Sequence, residues 1–176
     1  SSQAPYQARQ IRGLVLVEAG RRLVQQDHRG PRGDRAGYPD EPATTAARGT
    51  VTLLGDSLNV GIERYLPDAL PGWTVVANDR VGRSTPEGID ELEAGRPKLS
   101  SHVVVSLGTN DPPAAVGAFR ADVARVLELV GPNRCVVWAT IWRDGAPNDA
   151  FNAVLRDAAE TNRRVRIVEW AEMARA

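Results

Sequence analysis

Apolar residues along the chain keep two rhythms. In "TVTLL" (50–54), "WTVVAN" (73–78), "HVVVSL" (102–107), "CVVWAT" (135–140) and "VRIVEW" (165–170) they crowd into short, largely β-branched runs. Between these runs they return at every third or fourth position, over 58–65, 86–94, 114–130 and 149–161. The third of these is the clearest. Val116, Phe119, Val123, Val126, Leu127 and Val130 form one stripe, Arg120, Asp122, Arg125 and Glu128 fall off it, and Gly131-Pro132 ends it. The short runs predict strands and the periodic stretches predict helices. Strands that alternate with helices, several of them apolar on both faces, predict an α/β fold: a parallel sheet between two helical layers, a flavodoxin-like α/β/α sandwich.

The first 48 residues follow a different pattern. Ile11, Leu14, Val15, Leu23 and Val24 sit at helical spacing within residues 5–27, which predicts a helix lying over the main domain. From His28 onward, Gly, Pro and charged residues without periodicity predict an irregular linker. The expected organisation is therefore an N-terminal helix and linker over 1–48 and an α/β domain over 49–176.

Composition narrows the classes of function. The 22 basic residues balance 22 acidic ones, so no overall field draws the chain to nucleic acid or to an anionic membrane. The apolar run "LVLV" (14–17) is far too short to span a bilayer, and no signal-peptide pattern is present. A chain that begins at Ser1 has had something upstream processed or omitted, so that missing pattern says little about export. Cys135 is the single cysteine and reads as a buried core thiol, with no disulfide framework or metal-ligand cluster. No G-x-x-x-x-G-K or G-x-G-x-x-G run cradles a phosphate, and Asp144 and Asp149 have no partner acid at a glycosidase spacing. No metal or cofactor is expected.

In parallel sheets, ligands bind beyond the carboxyl ends of the strands. That directs attention to the loops "GDSLN", "DRVGRST", "GTNDPP" and "IWRDGAPND". Ser57, in the first turn after strand one, would meet outward-pointing backbone N–H groups that favour developing negative charge. The same Gly-Asp-Ser corner also suits an ordinary helix cap. Asn110 can aim an amide donor at an oxyanion, or simply turn the chain before Asp111-Pro112. Gly82 lacks a side chain, so its N–H can approach the same oxyanion. Asp56 reads as the residue that ties the corner to its neighbours. Arg143 fits either an anion-holding or a solvent-facing role, and Trp138 and Trp142 either line a pocket or belong to the core.

"GDSLNVG", then the glycine of "DRVGRST", then "GTND", in that order, resembles the SGNH or GDSL hydrolase family from Thr50 to the end of the chain. The resemblance implies that Ser57 is the nucleophile and that its N–H, the Gly82 N–H and the Asn110 side chain form the oxyanion hole. "VGRST" and "RIVEWAEMARA" further resemble the SGNH domains of bacterial peptidoglycan O-acetyltransferases. They imply acetyl-type transfer or hydrolysis on a small-molecule or glycan ester, and an extracytoplasmic setting. In the family the general base is a histidine in an Asp-x-x-His block, and this sequence has no such block. His102 precedes its strand and should lie at the opposite edge from Ser57, whereas His28 would have to reach the site from the linker. Three readings follow: a base beyond Ala176, a base from His28, or an inactive relative that keeps the fold as a binding or scaffold domain.

Overall fold

The computed structural model describes residues 49–95, 97–143 and 148–175. The predicted N-terminal helix, the linker and His28 lie outside the described residues. Five strands, β1 (Gly49–Gly55), β2 (Trp73–Asp79), β3 (His102–Ser106), β4 (Cys135–Ala139) and β5 (Val165–Val168), form one sheet in the order β2-β1-β3-β4-β5. Every pairing is parallel, with Leu54 opposite Asn78 on one side and Val105 on the other. The helices are α1 (Ser57–Ile62), α2 (Leu66–Ala69), α3 (Thr85–Glu93), α4 (Val116–Val130), α5 (Asp149–Thr161) and α6 (Trp170–Arg175), with a 3₁₀ turn at Glu63–Tyr65 between the first two. The result is the predicted α/β/α sandwich.

Strand alternation decides which layer covers which side chain. Leu54, Val103, Val105, Val136, Trp138 and Val165 face α3, α4 and α5, and this side holds the larger core. Phe119 stacks on Phe151 at 4.4 Å and meets Trp138 edge-on at 6.4 Å. The buried Trp138 donates its indole N–H to the Leu107 carbonyl at 3.3 Å, so it is a core residue. Val51, Leu53, Val104, Val137 and Val168 face the other way, against Ile62, Leu66, Leu70 and Met173.

Most element ends lie within two residues of the sequence expectation, and two elements differ in kind. The fifth strand ends at Val168, and Trp170, predicted as strand, begins α6. Val168 is the last residue paired with β4, and the buried Thr140 hydroxyl accepts the Ala171 N–H at 2.9 Å, which starts the helix. The single helix predicted over 58–65 is broken by the 3₁₀ turn, and Pro67 opens α2.

Helix α3 begins with a capping box, in which the Ser84 N–H donates to the Glu87 carboxylate at 2.8 Å and the Ser84 hydroxyl donates to it at 3.0 Å. Ser84→Ala is expected to cost about 1 kcal/mol. A urea titration that shows no loss of midpoint would remove the box from the stability of this helix.

Candidate active site

The sheet order reverses at β1: the chain leaves it toward β2 on one side and returns to β3 on the other. A parallel sheet opens a crevice at such a switch point, between the loops that follow the two central strands. The first of these loops is the Gly55-Asp56-Ser57 corner. Asp56, fully buried, caps α1 by accepting the Leu58 N–H at 2.9 Å, and its own N–H donates to the Ser106 carbonyl at 3.2 Å. Ser57 then occupies the first helical position with its side chain exposed.

On the inner side of α1, Asn59 is buried and donates to the Asp79 carboxylate at 3.0 Å. Gly55 and Asp79 are register partners, so Asn59 fastens the helix to the end of β2. A Cβ added at Gly55 would lie 2.3 Å from the Asn59 side-chain nitrogen, which explains the glycine.

The second loop turns back over the corner. The Arg80 N–H donates to the Gly55 carbonyl at 3.1 Å, the Arg83 N–H closes a turn onto the Arg80 carbonyl at 3.2 Å, and Gly82 takes φ = +75° in that turn. Gly82 is exposed, and nothing lies within 4 Å of where its Cβ would be. The third loop joins the first two. The Asn110 carboxamide donates to the Asp56 carboxylate at 3.1 Å and to the Arg83 carbonyl at 3.0 Å. A carboxamide has two N–H groups, and two acceptors engage them in this resting geometry. Asp111 accepts the Thr85 N–H at 2.7 Å, while Arg143, from the fourth loop, donates to the Asp111 carbonyl at 2.8 Å. Four loops are thereby wired to one rim of the sheet.

Burial dominates the electrostatics of this rim. It pushes the Asp56 carboxyl up, against the opposing hydrogen bonds from the Leu58 N–H and the Thr109 side chain. Burial also pushes Asp79 up to about 6, with Asn59 opposing and Glu63 adding like-charge repulsion. The Arg143 guanidinium is lowered by burial, with Asp111 opposing. Val60 and Val81 are the exposed large hydrophobic residues among those described, and both flank the corner.

No protein-family model matches the chain, and no curated protein matches it in sequence. Solved structures do. The C-terminal catalytic domain of Streptococcus pneumoniae peptidoglycan O-acetyltransferase A, solved with a methylsulfonyl adduct, aligns over 74% of this chain and 73% of its own at 20% identity, with a TM-score of 0.57. AlinE4, an SGNH-hydrolase family esterase, aligns over 72% and 78% at 18% identity, with a TM-score of 0.59. A lipase/acylhydrolase from Enterococcus faecalis aligns over 70% and 76% at 17% identity, with a TM-score of 0.55. This is the SGNH hydrolase fold.

Within the SGNH fold, Ser57, Gly82 and Asn110 lie on three successive loops at the same sheet edge, and Asn110 bridges the residue before Ser57 and the residue after Gly82. His102 stands at the other edge, as the first residue of β3, with its ring edge-on to Trp73 at 5.1 Å. Two residues differ from their sequence reading. Arg143 points inward, bonded to Asp111 and Asn148 and packed 4.6 Å over the Phe151 ring. Cys135 is half-buried. Sequence reasoning passed over Asn59, Asp79 and Arg83. The only local signal was an arginine directly after a loop glycine.

Proposed function

We propose that the chain is a serine-dependent acyl-ester hydrolase or O-acyltransferase that works through an acyl-enzyme. The observation that carries this reading is the Asn110 bridge, which gathers the Ser57 and Gly82 loops about one small volume at the switch point. The Ser57 hydroxyl attacks the ester carbonyl and loses its proton to a general base. The oxyanion takes hydrogen bonds from the Ser57 N–H, the Gly82 N–H and one Asn110 N–H, which turns from its resting acceptor. Collapse of the tetrahedral intermediate expels the alcohol, and water or an acceptor hydroxyl then takes the acyl group from Ser57. The base is a histidine, either His28 or one beyond Ala176. Likeness to a peptidoglycan O-acetyltransferase domain supports an acetyl-type group and a glycan hydroxyl as acceptor.

A fluorophosphonate probe tests this directly. It is expected to form one adduct, on Ser57, and Ser57→Ala is expected to abolish it. Labelling at another residue, or none, would overturn the nucleophile.

A second reading is a non-catalytic carbohydrate- or peptide-binding domain on the same loops. It is favoured by the position of His102, the single histidine among the described residues, at the far edge of the sheet. Equal p-nitrophenyl acetate turnover by the native chain and Ser57→Ala would select it.

A further inference from the structure

The corner that would gather negative charge during acyl transfer is already crowded with carboxylates. Asp56 precedes Ser57, Asp79 lies under α1, and both Glu63 and Asp56 act on Asp79 as like charges. An oxyanion formed among them is repelled unless a fixed positive charge offsets them.

Arg83 is placed to do so. Its side chain is only 4% exposed and runs beneath the turn that carries Gly82. Its guanidinium donates to the Gly55 carbonyl at 3.3 Å, to the Asn78 carbonyl, and to the Asn78 side-chain oxygen at 2.9 Å. All three acceptors are neutral. Among the described residues no carboxylate hydrogen-bonds this guanidinium, and its Nε is buried without a partner. Elsewhere, Arg80, Arg125 and Arg156 pair with glutamates at the surface. Asp79 acts on this cation only through space and not through a hydrogen bond, and a buried charge held so loosely is costly, so stability alone is a poor reason for a fold to hold one.

We propose that Arg83 is a positioning residue of the Ser57 corner: its guanidinium braces the Gly55 carbonyl and fixes a positive charge behind the oxyanion, and its own carbonyl holds Asn110. The inference rests on Ser57 as nucleophile. It is specific about charge, since a residue that served only to fill space could be replaced by any chain of the same shape.

The test reads the local field without requiring turnover. In a Cys135→Ala background, Ser57→Cys places a thiol at the corner, and the pH dependence of its alkylation by iodoacetamide gives its pKa. Burial raises the Asp79 carboxyl to about 6, below the usual thiol value of about 8.5, so it loses its proton before the thiol does. Arg83→Met is expected to raise the thiol pKa by about one unit, a tenfold smaller thiolate fraction below it, and Arg83→Lys to restore most of the shift. Arg83→Met leaves the Gly55 and Asn78 oxygens without this donor, so some loss of stability is expected in it. Arg83→Gln serves as the second charge-free variant, and circular dichroism reports folding in each. A shift below about a third of a unit, or Lys behaving like Met, would overturn the inference. The Ser57 assignment fails separately, through absent phosphonate labelling of the native chain, while the thiol still reports the charge of Arg83.

Discussion

Asn110→Ala is expected to slow acylation of Ser57 by about a hundred- to a thousandfold, the usual cost of one oxyanion-hole donor, about 3–4 kcal/mol of transition-state stabilisation. The loss should fall on kcat, with KM nearly unchanged, because the donor serves charge that exists only in the transition state. Fold stability should fall by only about 1–2 kcal/mol, since the change leaves the buried Asp56 carboxylate without the Asn110 donor. The measurement is the rate of fluorophosphonate labelling, or of p-nitrophenyl acetate turnover, beside a urea midpoint. Acylation within threefold of the native rate would mean that the Asn110 amide stays with Asp56 and Arg83 and never turns to the substrate.

Asp79→Asn is expected to stabilise the chain by roughly 2 kcal/mol at pH 8, and hardly at all near pH 4. Burial raises the Asp79 carboxyl from 3.8 to about 6. Between those values the folded chain binds more protons than the unfolded one. Its stability therefore falls as pH rises through this window, and the whole loss is present above about 6. A shift of this size corresponds to about 3 kcal/mol, and partial solvent access at the edge strand reduces it. Asparagine keeps an oxygen to accept the Asn59 N–H, while its NH2 takes the place of the buried, unpartnered Asp79 Oδ2 and trims the gain. Urea midpoints of the two chains across pH 4 to 8 should diverge upward from about pH 4. Parallel curves would show that Asp79 is ionised at no cost.

Much of this architecture is legible in the sequence, and the illegible part has a common cause. The strands beginning at Trp73, His102, Cys135 and Val165 start at the predicted residues, and α5 matches its predicted range, because apolar period is a local signal. Ser57, Gly82 and Asn110 were visible because each stands in a short motif at a strand end. Arg83 was not. Between Gly82 and Ser84 it reads as a solvated loop residue, and its burial arises from acceptors on two different strands, Gly55 and Asn78. Asn59 and Asp79 are hidden for the same reason, since neither neighbours the other in sequence. The end of β5 was misjudged at Trp170 because pairing with β4, which stops at Val168, decides it over propensity.

The all-parallel order of the sheet also bears on how the corner is assembled as the chain is made. Parallel neighbours cannot be joined by a tight hairpin, so each strand must wait for a distant partner. Ser57 emerges from the ribosome well before Asn110, and Arg143 follows later still. A nascent chain thus carries the Ser57 corner for a few seconds of synthesis without the Asn110 carboxamide that ties it to the Arg83 turn. The corner closes only once the third loop has arrived.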